Sequence, residues 1–282
     1  MKAATCESSI GHNSQRESER WENVIEQALI HTEAMLEDSN SLYYYHYHRI
    51  RYKGMAMHIA SKYGRFDGLR VLDIGSHQLH FITVLHLLGA NAQGIDVGVF
   101  TEAPENRCLS ARLGISNQTI NSLEMDLADF LLGKTYDIIV FSEILEHITF
   151  NPRRMWNAML QSVPQGSILV TTPNVFSLHK LPGYFSRLFL LSGYGIKVEE
   201  IISTITYGHH WKEYSVHELK QYFKLLGRDF EAEVFTVEGT DIFKGAWLAS
   251  ALRSFLISVT NHIPLLRFQI FCWVRPGRTI SR

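Results

Sequence analysis

The chain has 282 residues, of which 46% are hydrophobic and 20% are charged, and its formal net charge is −1. This length predicts one large domain, alone or with a small accessory part, and the neutral charge argues against a dedicated nucleic-acid binder, which is usually basic. Cys6, Cys108 and Cys272 are far apart and lack CxxC spacing, so we expect reduced thiols in a cytoplasmic protein. No uncharged apolar run reaches the ~20 residues that span a membrane.

The N-terminal part of the chain predicts a tail followed by two helices. Residues 1–20 are polar and without periodicity, which predicts a disordered tail that has no signal-peptide pattern. Apolar residues recur at helical spacing from Trp21, and a second helical stretch over 41–63 is dense in aromatic and basic side chains. This helical cap, 21–64, either covers one face of a sheet or places a lid of rings and cations over an acceptor site.

A different pattern begins near residue 65 and continues to residue 243. Short apolar runs alternate with helical segments, which is typical of a doubly wound, mostly parallel α/β sheet. The predicted strands are Val71–Ile74, Ala92–Ile95, Ser116–Ile120, Tyr136–Phe141 and Ser167–Thr171. Ligands of such sheets bind beyond the carboxyl ends of the strands, so the residues that follow each strand are the candidates for function.

Two later segments interrupt or extend this core. The apolar insertion 174–208 either roofs an acceptor pocket or extends the core, and the helix 214–226 after it has a capping box from Ser215 to Glu218. Residues 244–282 carry six basic and no acidic side chains. They predict a basic amphipathic helix and a final antiparallel strand, Phe268–Val274. The helix interleaves aromatic with basic residues, so 244–275 either contacts a membrane surface or packs inward.

The residues after the first two strands indicate a nucleoside site. Asp73 and Gly75 close the first strand, and Asp96 closes the second, 23 residues beyond Asp73. A tight turn brings the backbone close to the ligand, and an acid accepts hydrogen bonds from ribose hydroxyls. A dinucleotide fingerprint would need two further glycines where this chain has His77 and Leu79, which disfavours NAD and FAD.

Four segments in order, 71–76, 94–96, 136–140 and 164–170, resemble the class I S-adenosylmethionine-dependent methyltransferases over roughly residues 65–240. The resemblance implies a Rossmann-like, seven-stranded, mostly parallel sheet and S-adenosylmethionine as cofactor. It further implies that Asp73 and Gly75 lie by the methionine part, that Asp96 binds the ribose and that Asp126 faces the adenine. The other implied cofactor residues are Ser76, His77 and Ser142. The chain departs from the family at His77 and Leu79, where glycines are usual.

A second cluster of candidate residues follows the fourth strand. Glu143, Glu146 and His147 have the i, i+3, i+4 spacing that places side chains on one face of a helical turn. Two carboxylates and an imidazole that converge are costly unless a partner neutralises them, and a divalent cation would do so. The alternative is one buried glutamate that caps backbone amides, with His147 packed as a core residue.

The patterns Glu-x-x-Glu-His, Thr172-Pro173-Asn174 and His210-x-x-Glu-Tyr-Ser are similar to those of metal-dependent O-methyltransferases, including small-RNA 2′-O-methyltransferases and ubiquinone-pathway enzymes. The resemblance implies that Glu143, Glu146, His147 and His210 bind one cation, with His209 as the competitor of His210. Such a ligand set is softer than an all-oxygen cage, so Mn²⁺, Fe²⁺, Co²⁺ or Zn²⁺ would compete with Mg²⁺. His147, His209 and His210 are the candidate proton acceptors.

The sequence as a whole predicts an S-adenosylmethionine-dependent, metal-assisted O-methyltransferase. The expected acceptor is a vicinal diol or catechol on a sugar, glycolipid or other small molecule, and the expected location is cytoplasmic or peripheral to the inner membrane surface. An RNA 2′-O-methyltransferase is favoured by the +6 charge of 244–282 but disfavoured by the neutral total. Two further hypotheses are a non-catalytic scaffold, which the missing glycines suggest, and a metal-free N- or C-methyltransferase.

Overall fold

The computed structural model describes residues 4–189, 209–237, 255–256, 258–260 and 262–277. The helices are α1 (Ala4–Ala34), α2 (Ser39–Tyr63), α3 (His80–Leu87), α4 (Gly98–Thr101), α5 (Pro104–Leu113), α6 (Leu127–Leu131), α7 (Arg153–Ser162), α8 (Leu181–Phe189) and α9 (Val216–Leu226). The strands are β1 (Arg70–Ile74), β2 (Asn91–Asp96), β3 (Ser116–Thr119), β4 (Ile138–Ser142), β5 (Ser167–Pro173), β6 (Phe230–Val237) and β7 (Gln269–Pro276). Short 3₁₀ turns occupy Leu145–His147, Leu178–Lys180 and Pro264–Leu266.

The seven strands form one sheet in the order β3-β2-β1-β4-β5-β7-β6. The pairs β2–β3 and β4–β5 are parallel, whereas β7 runs antiparallel to both of its neighbours. This topology confirms the predicted doubly wound α/β architecture with a seven-stranded, mostly parallel sheet. The predicted final strand corresponds to β7, and β6 is a strand that the sequence analysis did not locate.

Contacts divide the chain into two compact units, one with residues up to Val71 and Ser76–Thr119, the other with Leu72–Gly75 and the residues from Ile120 onwards. In the first unit α1 packs along α2, where the Tyr45 hydroxyl donates to the Leu29 carbonyl at 2.6 Å. Arg49 and Lys53 of α2 pair with acidic residues of α1, including Glu26. These two cations of α2 are therefore held by α1.

The beginning of α1 differs from the sequence prediction. A disordered tail was expected over residues 1–20, whereas the helix begins at Ala4, and the side chains from Gln15 to Arg20 are all exposed. Extending a helix that is already nucleated gains one hydrogen bond for each residue fixed. A polar segment therefore continues the packed part of α1 without an apolar pattern of its own.

The second unit contains the strands from β4 to β7. β4 and β5 are almost entirely buried, and the predicted capping box is present at the start of α9. Residues 269–274 of β7 are also buried, between β5 and β6. These six residues therefore pack inward, which is one of the two alternatives that the sequence left open for 244–275.

Parts of two predictions lie outside the described residues. Of the apolar insertion 174–208, the structure describes the first part, which ends in α8. Residues 190–208 and most of the predicted basic helix fall outside it. Within the described part of the chain, no helix is both long and apolar enough to cross a membrane.

Candidate functional site

The turn that follows β1 requires glycine at its first position. Gly75 has φ +72°, and a Cβ atom built on it would lie 2.6 Å from Cδ1 of Ile144. The left-handed backbone conformation favours glycine, and an added Cβ atom would force the Ile144 side chain to shift. Asp73, two residues earlier, is 5% exposed.

Two further predicted cofactor residues of the second unit are held by local hydrogen bonds. Oδ2 of Asp126 accepts from the backbone amides of Asn121 and Ser122, at 3.0 and 3.2 Å. The Ser142 hydroxyl lies 2.7 Å from the hydroxyl of Thr171 on the neighbouring strand. Asp126 therefore fixes the chain before α6, and Ser142 fixes the end of β4.

In the first unit, the loop that leads into α3 is bound to the acid at the end of β2. The amide of His77 donates to Oδ2 of Asp96 at 2.6 Å, and the amide of Val97 donates to Oδ1 at 2.7 Å. Burial raises the pKa of Asp96 despite these two hydrogen bonds. The carboxylate that the sequence assigned to ribose binding is thus held at both oxygens.

The two residues that replace family glycines adopt the backbone conformation that favours glycine. His77 has φ +46° and Leu79 has φ +60°. The left-handed region costs an L-residue about 1–2 kcal/mol. The loop therefore keeps a glycine-like path at Leu79 and His77 at an energetic cost that neighbouring contacts must offset.

The sequence prediction of a helical turn is wrong at Glu143, which follows β4. The expected helical turn over 143–147 is absent, because Glu143 has φ +56° and the 3₁₀ turn begins only at Leu145. The Glu143 amide bonds the Thr171 carbonyl at 2.9 Å, and its carboxylate accepts from the Thr171 hydroxyl at 3.0 Å. This reversal of the backbone separates Glu143 from the face that Glu146 and His147 share.

Three of the four predicted cation ligands do come together. Glu146, His147 and His210 each offer one donor atom, and these atoms lie within 4.8 Å of one another; among the described residues, Glu143 and His209 are not part of this group. Glu146 is completely buried, and its Oε2 accepts from the Thr172 hydroxyl at 2.9 Å. We call Glu146, His147 and His210 the Glu–His–His cluster.

Hydrogen bonds fix the protonated nitrogen of both imidazoles in the cluster. Nδ1 of His147 lies 2.9 Å from the backbone carbonyl of His209, and Nδ1 of His210 lies 3.2 Å from Oε1 of Glu213. A carbonyl and an ionised carboxylate only accept hydrogen bonds, so both Nδ1 atoms carry the proton. In the neutral tautomer this arrangement leaves the lone pair on Nε2, the atom with which each ring would bind a metal ion.

Electrostatics set the protonation states of His147 and of Glu213, the residue that bonds His210. Burial and the neighbouring His210 lower the pKa of His147 to about 4, so its ring is neutral at neutral pH. Burial would raise the pKa of Glu213, but hydrogen bonds from His210 and Lys180 outweigh it and lower the value to about 2. The Lys180 ammonium lies 2.6 Å from Oε2 of Glu213.

The structure also shows supporting residues that the sequence analysis did not assign. Thr172 supports Glu146 as described, and Asn174 donates to the carbonyls of Leu265 and Arg267 at 2.8 and 2.7 Å. Thr172 and Asn174 belong to the Thr-Pro-Asn pattern, which was the available signal. Lys180 lies 33 residues before Glu213 and carried no signal. The His209 side chain is 4% exposed and packs against Trp211.

Comparison with known proteins identifies the type of domain. A family model described as a methyltransferase domain matches residues 45–233, more than half of the chain. The fold is similar to that of the plantazolicin methyltransferase BamL, crystallised with a triazolic desmethylPZN analogue and SAH, at 15% identity and a TM-score of 0.51, covering 92% of this chain and 100% of that one. It is also similar to the PH0226 protein from Pyrococcus horikoshii OT3, at 13% identity and a TM-score of 0.51, covering 82% of this chain and 91% of that one.

None of the curated protein sequences compared with the chain matches it. The likeness to class I methyltransferases that the sequence predicted is confirmed, while the metal-dependent O-methyltransferase subset stays a prediction. The chain belongs to the methyltransferase domain family.

Proposed function

We propose that the protein transfers a methyl group from S-adenosylmethionine to an acceptor hydroxyl, assisted by a divalent cation at the Glu–His–His cluster. The proposed acceptor is a vicinal diol or catechol on a sugar, glycolipid or other small molecule. The observation that carries the proposal is the cluster itself, with donor atoms within 4.8 Å of one another and each imidazole held by a hydrogen bond at Nδ1.

The residues predicted to hold the cofactor fit this assignment. A carboxylate has about four lone-pair sites, and backbone amides use two of those of Asp96, so two remain for ribose hydroxyls. Gly75 adopts without cost the left-handed backbone of the turn after β1, and the Ile144 side chain packs against it. S-adenosylmethionine supplies an activated methyl group on a sulfonium, so the protein has to bind and orient rather than activate the donor.

The donor set of the cluster fits a divalent cation. One carboxylate and two imidazoles suit Mn²⁺, Fe²⁺, Co²⁺ or Zn²⁺ better than Mg²⁺, which prefers oxygen ligands. Three protein donors leave about half of an octahedral shell open, enough for two adjacent oxygens of a diol. When bound, such an ion would lower the pKa of the acceptor hydroxyl.

The chain also offers a residue to accept the hydroxyl proton. Two of the three histidines predicted for this role, His147 and His210, belong to the cluster and would offer their Nε2 atoms to the cation. His209 lies outside the cluster, and its backbone carbonyl orients His147. We therefore assign proton removal to His209 in this proposal.

The decisive experiment measures cation binding and methyl transfer on the same set of variants. Calorimetry with Co²⁺ is performed on the wild type, Glu146→Gln, His210→Asn and the control His217→Asn, which changes an exposed histidine of α9. We expect the first two variants to lose Co²⁺ binding and the control to retain it. All four should still bind S-adenosylhomocysteine, because these substitutions leave the proposed cofactor residues in place.

Activity is tested with a catechol and with a cis-diol sugar as probes, by the mass gain of one methyl group. A chelator should abolish transfer, and added Mn²⁺ should restore it. Transfer that a chelator leaves unchanged, or equal Co²⁺ binding by His210→Asn and the wild type, would contradict cation assistance. Methylation of short RNA but of neither probe would contradict the proposed acceptor class.

A further inference from the structure

The ring of His77 contacts two aromatic side chains of the first unit. Its centroid is 4.6 Å from that of Tyr44, with an interplanar angle of 31°, and 4.2 Å from that of Phe100. Tyr44 belongs to α2 and Phe100 to α4, so the ring is held by two separate elements. These two tilted ring contacts, the second at an interplanar angle of 52°, restrict the rotation of the imidazole.

A buried amide holds the backbone at the same residue. Asn106, which is 4% exposed, donates through Nδ2 to the carbonyl of His77 at 2.6 Å and to that of Phe100 at 2.8 Å. The Asn106 side chain thus connects the loop to α4, the helix that carries Phe100. His77 is therefore held at its ring and at its carbonyl, which offsets the cost of its positive φ.

The other backbone polar group of His77, its amide, bonds the acid that is predicted to bind the ribose. The His77 amide donates to Oδ2 of Asp96 at 2.6 Å, whereas a second amide, that of Val97, holds Oδ1. The orientation of the carboxylate therefore depends on where the His77 backbone lies. A glycine at this position would offer the same amide, but without a side chain to fix it.

We infer that His77 is a positioning residue for the nucleoside of the cofactor, because its stacked ring fixes the amide that orients Asp96 toward the ribose hydroxyls. The inference rests on the proposed use of S-adenosylmethionine. At this position the resemblance implies glycine, whose advantage is its conformational freedom. In this chain the side chain of His77 would instead hold the loop in place. Burial and the nearby Arg51 lower the pKa of His77 to about 4, so its ring is uncharged at neutral pH and does not repel a sulfonium.

The test compares two probes that differ in one ribose hydroxyl. Dissociation constants of 5′-methylthioadenosine and its 2′-deoxy analogue are measured by calorimetry on the wild type, His77→Gly and His77→Phe. The ratio of the two constants reports the contact between Asp96 and the ribose. A hydrogen bond to a charged group corresponds to at least about tenfold in affinity, so we expect the wild type to prefer the ribonucleoside by about that factor.

His77→Gly removes the ring and relieves the backbone strain, and we expect its ratio to fall toward one. His77→Phe keeps a stacking ring, and we expect its ratio to stay within about threefold of the wild type. Phe100→Leu removes one stacking partner and leaves the loop sequence intact, and it should also lower the ratio. Thermal melting of each variant accompanies the titrations, and Phe100→Leu decides the matter if His77→Gly does not fold.

The outcomes separate this inference from the proposed function. The positioning role would be overturned if His77→Gly had the same ratio of dissociation constants as the wild type, while cofactor binding would stay in place. If His77→Gly does not fold, the same result in Phe100→Leu would overturn the role. Equal loss of the ratio in His77→Gly and His77→Phe would overturn the role of the stacked ring. A folded wild type that binds neither these probes nor S-adenosylhomocysteine would overturn the proposed function, and this inference with it.

Discussion

Glu213 provides the most direct test of the cation site, because it contacts a proposed ligand without being one. Its Oε1 accepts from Nδ1 of His210 at 3.2 Å, and its Oε2 accepts from Lys180 at 2.6 Å. A glutamine has one acceptor oxygen where glutamate has two. In Glu213→Gln the amide group therefore faces either His210 or Lys180, and one of the two hydrogen bonds is lost.

The expected magnitude follows from this count of acceptors. Loss of a partner that orients a ligating histidine lowers metal affinity about 10- to 100-fold, which is about 1.4–2.7 kcal/mol. We expect Glu213→Gln near the lower end, because its oxygen can still bond one donor, and Glu213→Leu near the upper end. The pKa of Glu213 is about 2, so its carboxylate is ionised throughout pH 6–8 and the wild-type advantage should be constant there.

The assay is calorimetric titration of Co²⁺ into the wild type, both Glu213 variants and the control Glu233→Gln, which changes an exposed glutamate of β6. The control should bind Co²⁺ as the wild type does. A dissociation constant within twofold of the wild type in Glu213→Leu would refute the reasoning. It would show that His210 presents Nε2 without help from Glu213, or that the cluster does not hold the ion.

Three further predictions concern stability. Alanine at Gly166 would place its Cβ against the backbone carbonyl of Asp137 on the neighbouring strand end, and urea unfolding should show a loss of about 1–3 kcal/mol. His80 is 2% exposed, and burial lowers its pKa to about 3 from 6.5. Between these values the unfolded chain binds one more proton than the folded chain, so the free energy of unfolding falls as the pH falls. His80→Gln should therefore make this decline shallower by about 1.4 kcal/mol per pH unit between pH 6 and pH 4. Ser215→Ala removes the acceptor for the amide of Glu218 in the capping box, and thermal or urea unfolding should show a cost of about 1 kcal/mol.

Three strands of the sheet, β1, β4 and β5, were predictable because each contains a short apolar run. These three strands begin and end within two residues of the predicted positions, since the sequence of buried strands is itself close to continuous in apolar residues. β6 was not located, because its residues are mostly half-buried and alternate with glutamates. Such a strand is defined by its pairing with β7, which lies more than thirty residues further along the chain.

The candidate site was predictable where it depended on residue type, and the prediction was wrong where it depended on local conformation. Glu146, His147 and His210 were selected by chemistry and by a motif, and the structure places their donor atoms together. Glu143 was selected by the same motif and by helical spacing, and the positive φ at that residue removes the helical turn on which the spacing depends. Spacing in sequence fixes direction only after the backbone conformation is known.

Backbone conformation provides an independent argument for assigning function to the two predicted loops. In the described part of the chain, three residues other than glycine have positive φ, and they are His77, Leu79 and Glu143. The first two lie after β1, in the loop predicted for the cofactor, and the third lies after β4, in the loop predicted for the cation. Residues held in such conformations cost about 1–3 kcal/mol each and concentrate at functional sites. The residue types that selected these loops do not by themselves require left-handed backbone, so the strain is separate support for assigning function to both.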